Sequence, residues 1–208
     1  MPNNHSTLSS LIVKDRLQQL KSSISTKPLG QSFYKSSAKG WEQTQKETLK
    51  HGGVYAFWWA TETDYFRRLI NRSNGVKLYG KQLNGKPLPV NIQINEQWLE
   101  DATHNGAILL YVGRSTNIGG RLNGHIKPQT DRLEKSSKDS NRKPNTVSQL
   151  RFGLERLLGI EDARSLIMNH VHFSFVKLDT YDESVNRFYL ENLAIGQLLP
   201  IFNLDVER

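Results

Sequence analysis

The chain of 208 residues contains no cysteine and no apolar run long enough to cross a bilayer. The first absence excludes disulfide bonds and thiolate metal sites, so any metal must take oxygen or imidazole ligands. Such ligands favour a hard cation, Mg²⁺ first. The second absence excludes a spanning helix of roughly 20 apolar residues. We therefore expect no membrane partner. Residues 1–10 are polar and lack the apolar run of a signal peptide, which predicts a cytoplasmic location.

Positive charge is what the chain has in excess, with 28 Lys and Arg against 20 Asp and Glu and a formal net charge of +8. This balance indicates a polyanion partner, nucleic acid first and an anionic membrane surface second. Many ordinary soluble proteins are as basic, so charge alone does not decide the function. The hydrophobic content of 37% is typical of a globular chain whose length fits one domain with an extension and insertions.

Apolar periodicity predicts an α+β chain. The β-branched and aromatic runs that favour strands lie at residues 54–59, 107–112 and 172–178. Amphipathic or capped stretches predict helices at residues 11–24, 41–50, 65–71, 97–101, 117–126, 148–158 and 183–199. Residues 25–39 are rich in Ser, Lys, Pro and Gly, which predicts a connector between elements. We expect a small central three-stranded sheet flanked by helices.

Three segments stand outside that central unit. Residues 1–50 form a predicted N-terminal helical extension, and residues 51–208 form the remaining domain. An insertion at residues 61–106 separates the first two strands and contains two strand-like runs around LNGKPLP, which predicts a hairpin. Residues 127–146 are polar and basic without an apolar stripe, so we expect a loop there.

Two tyrosine-bearing strands and two helices carry a recognisable series of motifs. GVYAF begins at Gly53, and YVGRSTNIGGRLNGH begins at Tyr111, with Arg121 ten residues after that tyrosine and His125 four further on. The last helix and its end read LENLAIGQLLPIFN. In this order the motifs resemble the GIY-YIG nuclease superfamily, and the resemblance covers roughly residues 52–203. The long insertion and the enlarged basic loop resemble the type II restriction endonuclease members most.

The resemblance implies a Mg²⁺-dependent endonuclease that hydrolyses DNA phosphodiesters, with Mn²⁺ as a substitute. It implies that the first tyrosine accepts the proton of the attacking water, that the glutamate of the last helix binds the metal and that the closing asparagine holds the geometry. The implied catalytic residues are Tyr55, Tyr111, Arg121, His125, Glu191 and Asn203, with Glu191 as the metal ligand.

Physical chemistry supports parts of this assignment. Arg121 and His125 project from one helix face, where an arginine can clamp a phosphate and a histidine can relay a proton near neutral pH. A tyrosine is a poor base unless its neighbours lower its pKa, and we expect this cluster to lower that of Tyr55. Glu191 follows Phe188 in an apparent apolar stripe; a buried carboxylate there needs a metal ion or a salt bridge with Lys or Arg.

Each residue also has a plainer interpretation, since strand tyrosines usually pack and basic helix faces are usually solvated. The combination favours the nuclease. Repair or mobile-element nucleases are alternatives, and a catalytically silent nucleic-acid-binding module is an alternative of another class. A palindromic target would call for a homodimer or transient dimer. The candidate contacts to double-stranded DNA are Arg114, Arg67, Arg68, Lys77, Lys81, Lys127, Arg142 and Lys143.

Overall fold

The structure is a computed structural model that describes residues 10–38, 40–71, 76–79, 89–126, 148–160 and 163–203. The α-helices are α1 (Ser10–Ser22), α2 (Leu29–Ser32), α3 (Lys46–Leu49), α4 (Thr63–Asn71), α5 (Glu96–Asp101), α6 (Ile118–Ile126), α7 (Gln149–Leu158), α8 (Arg164–His170) and α9 (Ser184–Leu198). The strands are β1 (Tyr34–Ser37), β2 (Gly40–Gln43), β3 (Gly53–Trp59), β4 (Val76–Tyr79), β5 (Pro89–Ile92), β6 (Thr103–His104), β7 (Ala107–Ser115) and β8 (Val171–Lys177).

The central sheet is antiparallel and runs in the order β6-β7-β3-β8. The α+β class and the three predicted strands are confirmed. We expected three strands in the central sheet, but it has four, because the two-residue β6 pairs with β7 and extends the sheet at that edge. Every residue of β3 is buried, as expected of a middle strand covered on both faces.

Alternation along β3 divides the core into two layers. Tyr55, Phe57 and Trp59 face the layer that includes α4, α6, α7 and α8. Val54 and Trp58 face the opposite layer, which is closed by α1 and α9. The sheet therefore carries separate sets of side chains on its two faces, and this division determines which candidate residues can meet.

The secondary structure that we predicted from sequence patterns was wrong for much of residues 25–50. The expected connector contains α2 and β1, and the expected polar helix begins as β2 and continues into α3. Tertiary contacts explain the difference, since short segments follow their packing more than their propensity. The Phe33 ring packs edge-on against Phe173 at 5.4 Å, and the Tyr34 hydroxyl donates to Asn123 Oδ1 at 3.0 Å. The N-terminal region also contributes to the core, through Leu17 and Leu20 of α1.

The insertion contains the expected pair of strands. β4 and β5 are antiparallel partners, with Val76 opposite Ile92 and Tyr79 opposite Pro89. The segment that joins them, including Lys81, lies outside the described residues. The basic loop at residues 127–146 also lies outside them. Within the described ranges, no helix combines the length and apolar content needed to cross a membrane.

Candidate functional site

Two tyrosine rings lie together at the point where β3 begins and β7 ends. Tyr55 is opposite Gly113 in the β3–β7 register, and its ring centroid is 6.3 Å from that of Tyr111. A Cβ atom added at Gly113 would lie 2.6 Å from the Tyr55 hydroxyl and 2.9 Å from the Tyr111 ring. Glycine at this position therefore gives the tyrosines the space they occupy on the α6 face of the sheet.

Arg121 joins the two tyrosines. α6 begins after Asn117, whose Oδ1 accepts from the Gly120 amide at 2.8 Å, and Arg121 lies in its first turn. Its Nε donates to the Tyr55 hydroxyl at 3.3 Å, and its guanidinium also hydrogen-bonds Tyr111. Burial alone would lower the pKa of Arg121, but the two tyrosine oxygens outweigh burial and raise it. The guanidinium is therefore a fixed positive charge.

Tyr55 differs from the expectation that its neighbours would lower its pKa. Burial, with a smaller contribution from Tyr111, raises the pKa of Tyr55, and Arg121 offsets only part of that rise. Glu191 raises it further through space. The phenol is only 1% exposed and accepts the Arg121 hydrogen bond as a neutral group. Among the protein's own groups, burial therefore outweighs Arg121, and the role of Tyr55 as a general base stays a prediction.

His125 also differs from expectation. It is completely buried, with its ring 4.8 Å from that of Phe57, and Nδ1 lies 2.6 Å from Ser148 Oγ. Burial first, then the charges of Arg121 and Arg151, lower the pKa of His125 to about 3. Its Nε2 has no hydrogen-bond partner among the described residues. A pKa lowered in this way differs from the near-neutral value that was expected, and the proton-relay role of His125 stays a prediction.

Glu191 lies on α9 and forms an ion pair. Its carboxylate is 3.0 Å from Arg114 Nε, and its side chain is 19% exposed. Arg114 also covers the Phe188 ring at 4.7 Å. Phe188 is 47% exposed, so the expected apolar stripe around Glu191 is wrong on that side. Arg114 follows Gly113 on β7, and alternation directs it to the α9 face, opposite the tyrosines.

The donor set limits what kind of cation could bind here. Glu191 presents one partly exposed carboxylate, which fits a hard divalent cation whose remaining ligands are water. In the described part of the chain, no group of three or more His, Asp or Glu side chains could hold a metal ion together. A site that depends on several protein ligands therefore does not fit the described residues, whereas a site built on one carboxylate does.

Asn203, which follows α9, is hydrogen-bonded to β7. Its Oδ1 accepts from the Val112 amide at 2.8 Å, and its Nδ2 donates to the Val112 carbonyl at 2.8 Å. Phe202 N donates to Leu110 O at 2.8 Å in the same segment. These bonds fix the backbone of β7 beside Tyr111. A cleft of about 440 Å³ lies at the C-terminal end of α9 and is lined by Asn95, Gln97, Trp98, Asp101, Ile195, Leu199, Pro200 and Asn203.

The proposed DNA contacts separate into two groups. Arg67 donates to Glu96 at 2.7 Å and is held in that ion pair, whereas Arg68 is exposed on α4. Lys77 lies on β4, where only the backbone is described. Arg114 is held in the ion pair with Glu191 described above. The other four proposed contacts lie outside the described residues, namely Lys81, Lys127, Arg142 and Lys143.

One cluster was not predicted from the sequence, and it joins His51 to Asp179 and Lys177. His51 Nδ1 lies 2.7 Å from Asp179 Oδ2, and Lys177 Nζ lies 3.4 Å from His51 Nε2. His51 and Asp179 are 128 residues apart, and no local pattern connects them.

Comparisons of the chain with family models, with curated proteins and with solved structures gave no match. Membership of the GIY-YIG superfamily therefore stays a prediction that rests on the motifs.

Proposed function

We propose that this chain is a divalent-cation-dependent endonuclease of the GIY-YIG type that hydrolyses DNA phosphodiesters. One observation carries the proposal: Arg121 hydrogen-bonds the hydroxyls of both motif tyrosines, Tyr55 and Tyr111. Three residues from three separate elements thus converge where β3 begins and β7 ends, and this convergence supports the proposal.

The chemistry assigned to the chain's own residues begins with Arg121. A guanidinium has five N–H donors, so the donors that the tyrosines do not use are available to two phosphate oxygens. Tyr55 and Tyr111 fix the plane of that guanidinium, and Asn203 fixes the backbone beside Tyr111. Glu191 would hold Mg²⁺ or Mn²⁺, which when bound supplies Lewis-acid stabilisation of the charge on the phosphate.

Sequence-specific, restriction-type cleavage is the preferred biological role. The inserted β4–β5 hairpin would read base edges, and the basic segment at residues 127–146 would follow phosphates. A palindromic target would require two active sites, hence a homodimer or transient dimer on the DNA. The proposal includes a cytoplasmic location for the protein. Repair and mobile-element nucleases share the same chemistry and are distinguished by their products.

The direct test incubates the protein with plasmid and phage DNA in Mg²⁺ and compares Arg121→Ala with Arg16→Ala, a surface arginine on α1. The proposal expects cleavage by the wild type and by Arg16→Ala, and loss of cleavage in Arg121→Ala. Discrete fragments would support restriction, and smearing would support a repair-type role. Full cleavage by Arg121→Ala would contradict the assigned site.

A second candidate is a nucleic-acid-binding module without catalysis. The Arg114–Glu191 ion pair at 3.0 Å favours it, because this pair neutralises the carboxylate with no metal required. The neutral, buried His125 also favours a binding module without catalysis. Binding of DNA without cleavage at any Mg²⁺ or Mn²⁺ concentration would support this second candidate over the nuclease.

A further inference from the structure

Ser148 joins the start of α7 to the histidine of α6. Its backbone is extended and its side-chain oxygen accepts from the Arg151 amide at 3.0 Å, so Ser148 is the N-cap of α7. The same oxygen lies 2.6 Å from His125 Nδ1. Ser148 is 4% exposed and His125 is completely buried, so both contacts are shielded from solvent.

The His125 ring is uncharged and therefore carries a single proton. Burial first, then the charges of Arg121 and Arg151, lower the pKa of His125 to about 3. A neutral imidazole has one N–H donor and one bare nitrogen that accepts, and the contacts of the two nitrogens decide which is which. His125 Nε2 has no hydrogen-bond partner among the described residues. The contact with Ser148 therefore decides the tautomer.

The one proton of the Ser148 hydroxyl distinguishes the two tautomers. Because the Arg151 amide already donates to Oγ, the hydroxyl proton can be donated to His125 Nδ1. Only the N–H at Nε2 is then left without a partner among the described residues. With the proton on Nδ1 instead, both the hydroxyl proton and the lone pair of Nε2 would be unpaired. Since each unpaired polar group in the interior is costly, the tautomer with its proton on Nε2 is the more stable.

A second buried histidine has the opposite arrangement. His172 on β8 is 2% exposed, and its Nε2 also has no partner among the described residues. Its Nδ1, however, lies 2.6 Å from the carbonyl oxygen of Ser25, and a carbonyl only accepts. His172 therefore carries a proton on Nδ1. The two histidines differ in whether Nδ1 faces a donor or an acceptor, which makes His172 an internal reference for His125.

The ring of His125 lies beside both motif tyrosines. Its centroid is 6.2 Å from that of Tyr55 and 5.9 Å from that of Tyr111, and both contacts are edge-on. Because Ser148 takes Nδ1, the N–H at Nε2 is the polar group that His125 brings to this part of the site. The oxygens assigned to the site are acceptors, since both phenols accept from Arg121 and a phosphate has acceptor oxygens. A donor on His125 complements them.

We propose that Ser148 is a positioning residue of the candidate site, whose hydroxyl holds His125 as the tautomer with its proton on Nε2. His125 is then a hydrogen-bond donor beside the tyrosines, because Nδ1 accepts from Ser148 and Nε2 carries the proton. The tautomer depends on the contacts of Ser148 alone, whereas its effect on cleavage rests on the proposed function. Failure of this inference and failure of the nuclease are therefore separate results.

NMR with ¹⁵N labelling of the free protein reads the tautomer directly. Wild type should show His125 protonated at Nε2 and His172 protonated at Nδ1. Ser148→Thr keeps the hydroxyl and should leave both histidines unchanged. Ser148→Asp caps a helix about as well as serine but has a carboxylate that only accepts, so a proton should appear on His125 Nδ1. A proton on His125 Nδ1 in wild type, or none there in Ser148→Asp, would overturn the inference whether or not the protein cleaves DNA.

Plasmid cleavage in Mg²⁺ tests the positioning role. Ser148→Gly removes the hydroxyl, but glycine caps a helix nearly as well as serine, and urea unfolding checks that the variant is folded. Its kcat should fall about tenfold with KM unchanged, the effect of one lost hydrogen bond that acts in the transition state. Ser148→Thr should restore the rate to within about threefold of wild type. A wild-type kcat in Ser148→Gly would overturn the positioning role, whereas an inactive wild type would contradict the nuclease and leave the tautomer to be decided by NMR.

Discussion

Arg121 Nε lies 3.3 Å from the hydroxyl oxygen of Tyr55, although the two residues are 66 positions apart in the chain. The phenol is buried and its pKa is raised, whereas the guanidinium stays charged. The pair is therefore a neutral acceptor that holds a cation in place.

Tyr55→Phe should lower the cleavage rate by about tenfold, because one hydrogen bond that orients Arg121 is lost, worth about 1.5 kcal/mol. The change should depend on Arg121, so in the Tyr55→Phe/Arg121→Ala double variant the phenol should have no further effect. The shape of the pH–rate profile should stay that of the wild type. A vanished limb in that profile would restore Tyr55 as the general base.

Gly113→Ala should destabilise the fold by about 1–3 kcal/mol, since the added methyl would force the two tyrosines to move. A Cβ there would lie 2.6 Å from the Tyr55 hydroxyl. The matched control is Gly196→Ala on α9, where a Cβ meets nothing within 4 Å. That change should stabilise the helix by roughly 0.5–1 kcal/mol. Urea unfolding gives the free energy of unfolding of both variants. Equal free energies for Gly113→Ala and Gly196→Ala would contradict the close packing at Gly113.

His125 should make the protein less stable as the pH falls. Its pKa is about 3 in the folded state against 6.5 for the ordinary side chain, so the unfolded chain binds more protons between those values. The contribution of His125 is therefore full above pH 6.5 and is lost towards pH 3. His125→Leu should flatten the fall in the free energy of unfolding measured by urea between pH 7 and about pH 4. An unchanged slope in His125→Leu would show that the histidine is not buried as a neutral group.

Arg114→Ala should tighten Mn²⁺ binding by about two- to fivefold, because an ion pair with exposed partners is worth up to ~1 kcal/mol and competes with the cation for Glu191. The pair separation is 3.0 Å. Calorimetric titration with Mn²⁺ gives the affinity, and Glu191→Gln should abolish the binding. Arg16→Ala serves as the control for the lost charge. Equal Mn²⁺ affinity in Arg114→Ala and wild type would argue against Glu191 as the ligand.

Sequence patterns could predict those parts of the fold that depend on local periodicity. The strand at residues 54–59 alternates large apolar side chains between two layers, and α6 (Ile118–Ile126) matches the helix predicted at residues 117–126. The β1–β2 hairpin could not be predicted, because its residues are mostly polar and its anchor is the contact of Tyr34 with Asn123, 89 positions away.

The candidate site likewise has features that the sequence predicts and features that it does not. The motif spacing led to Arg121 and both tyrosines, which the fold brings together. It could not show that Glu191 pairs with Arg114, or that burial leaves His125 neutral. Both depend on how α7 and α9 pack against the two faces of the sheet, which only the tertiary structure determines.

The most direct test of the central claim is the cleavage of supercoiled plasmid in Mg²⁺ by wild type, Arg121→Ala and Arg16→Ala, with binding to the same DNA measured in parallel. The account predicts that wild type and Arg16→Ala convert the plasmid to nicked and linear forms. Arg121→Ala should lose at least 100-fold in rate, as expected when a donor to a developing charge is removed. Binding of the plasmid by wild-type protein without any cleavage would contradict the account.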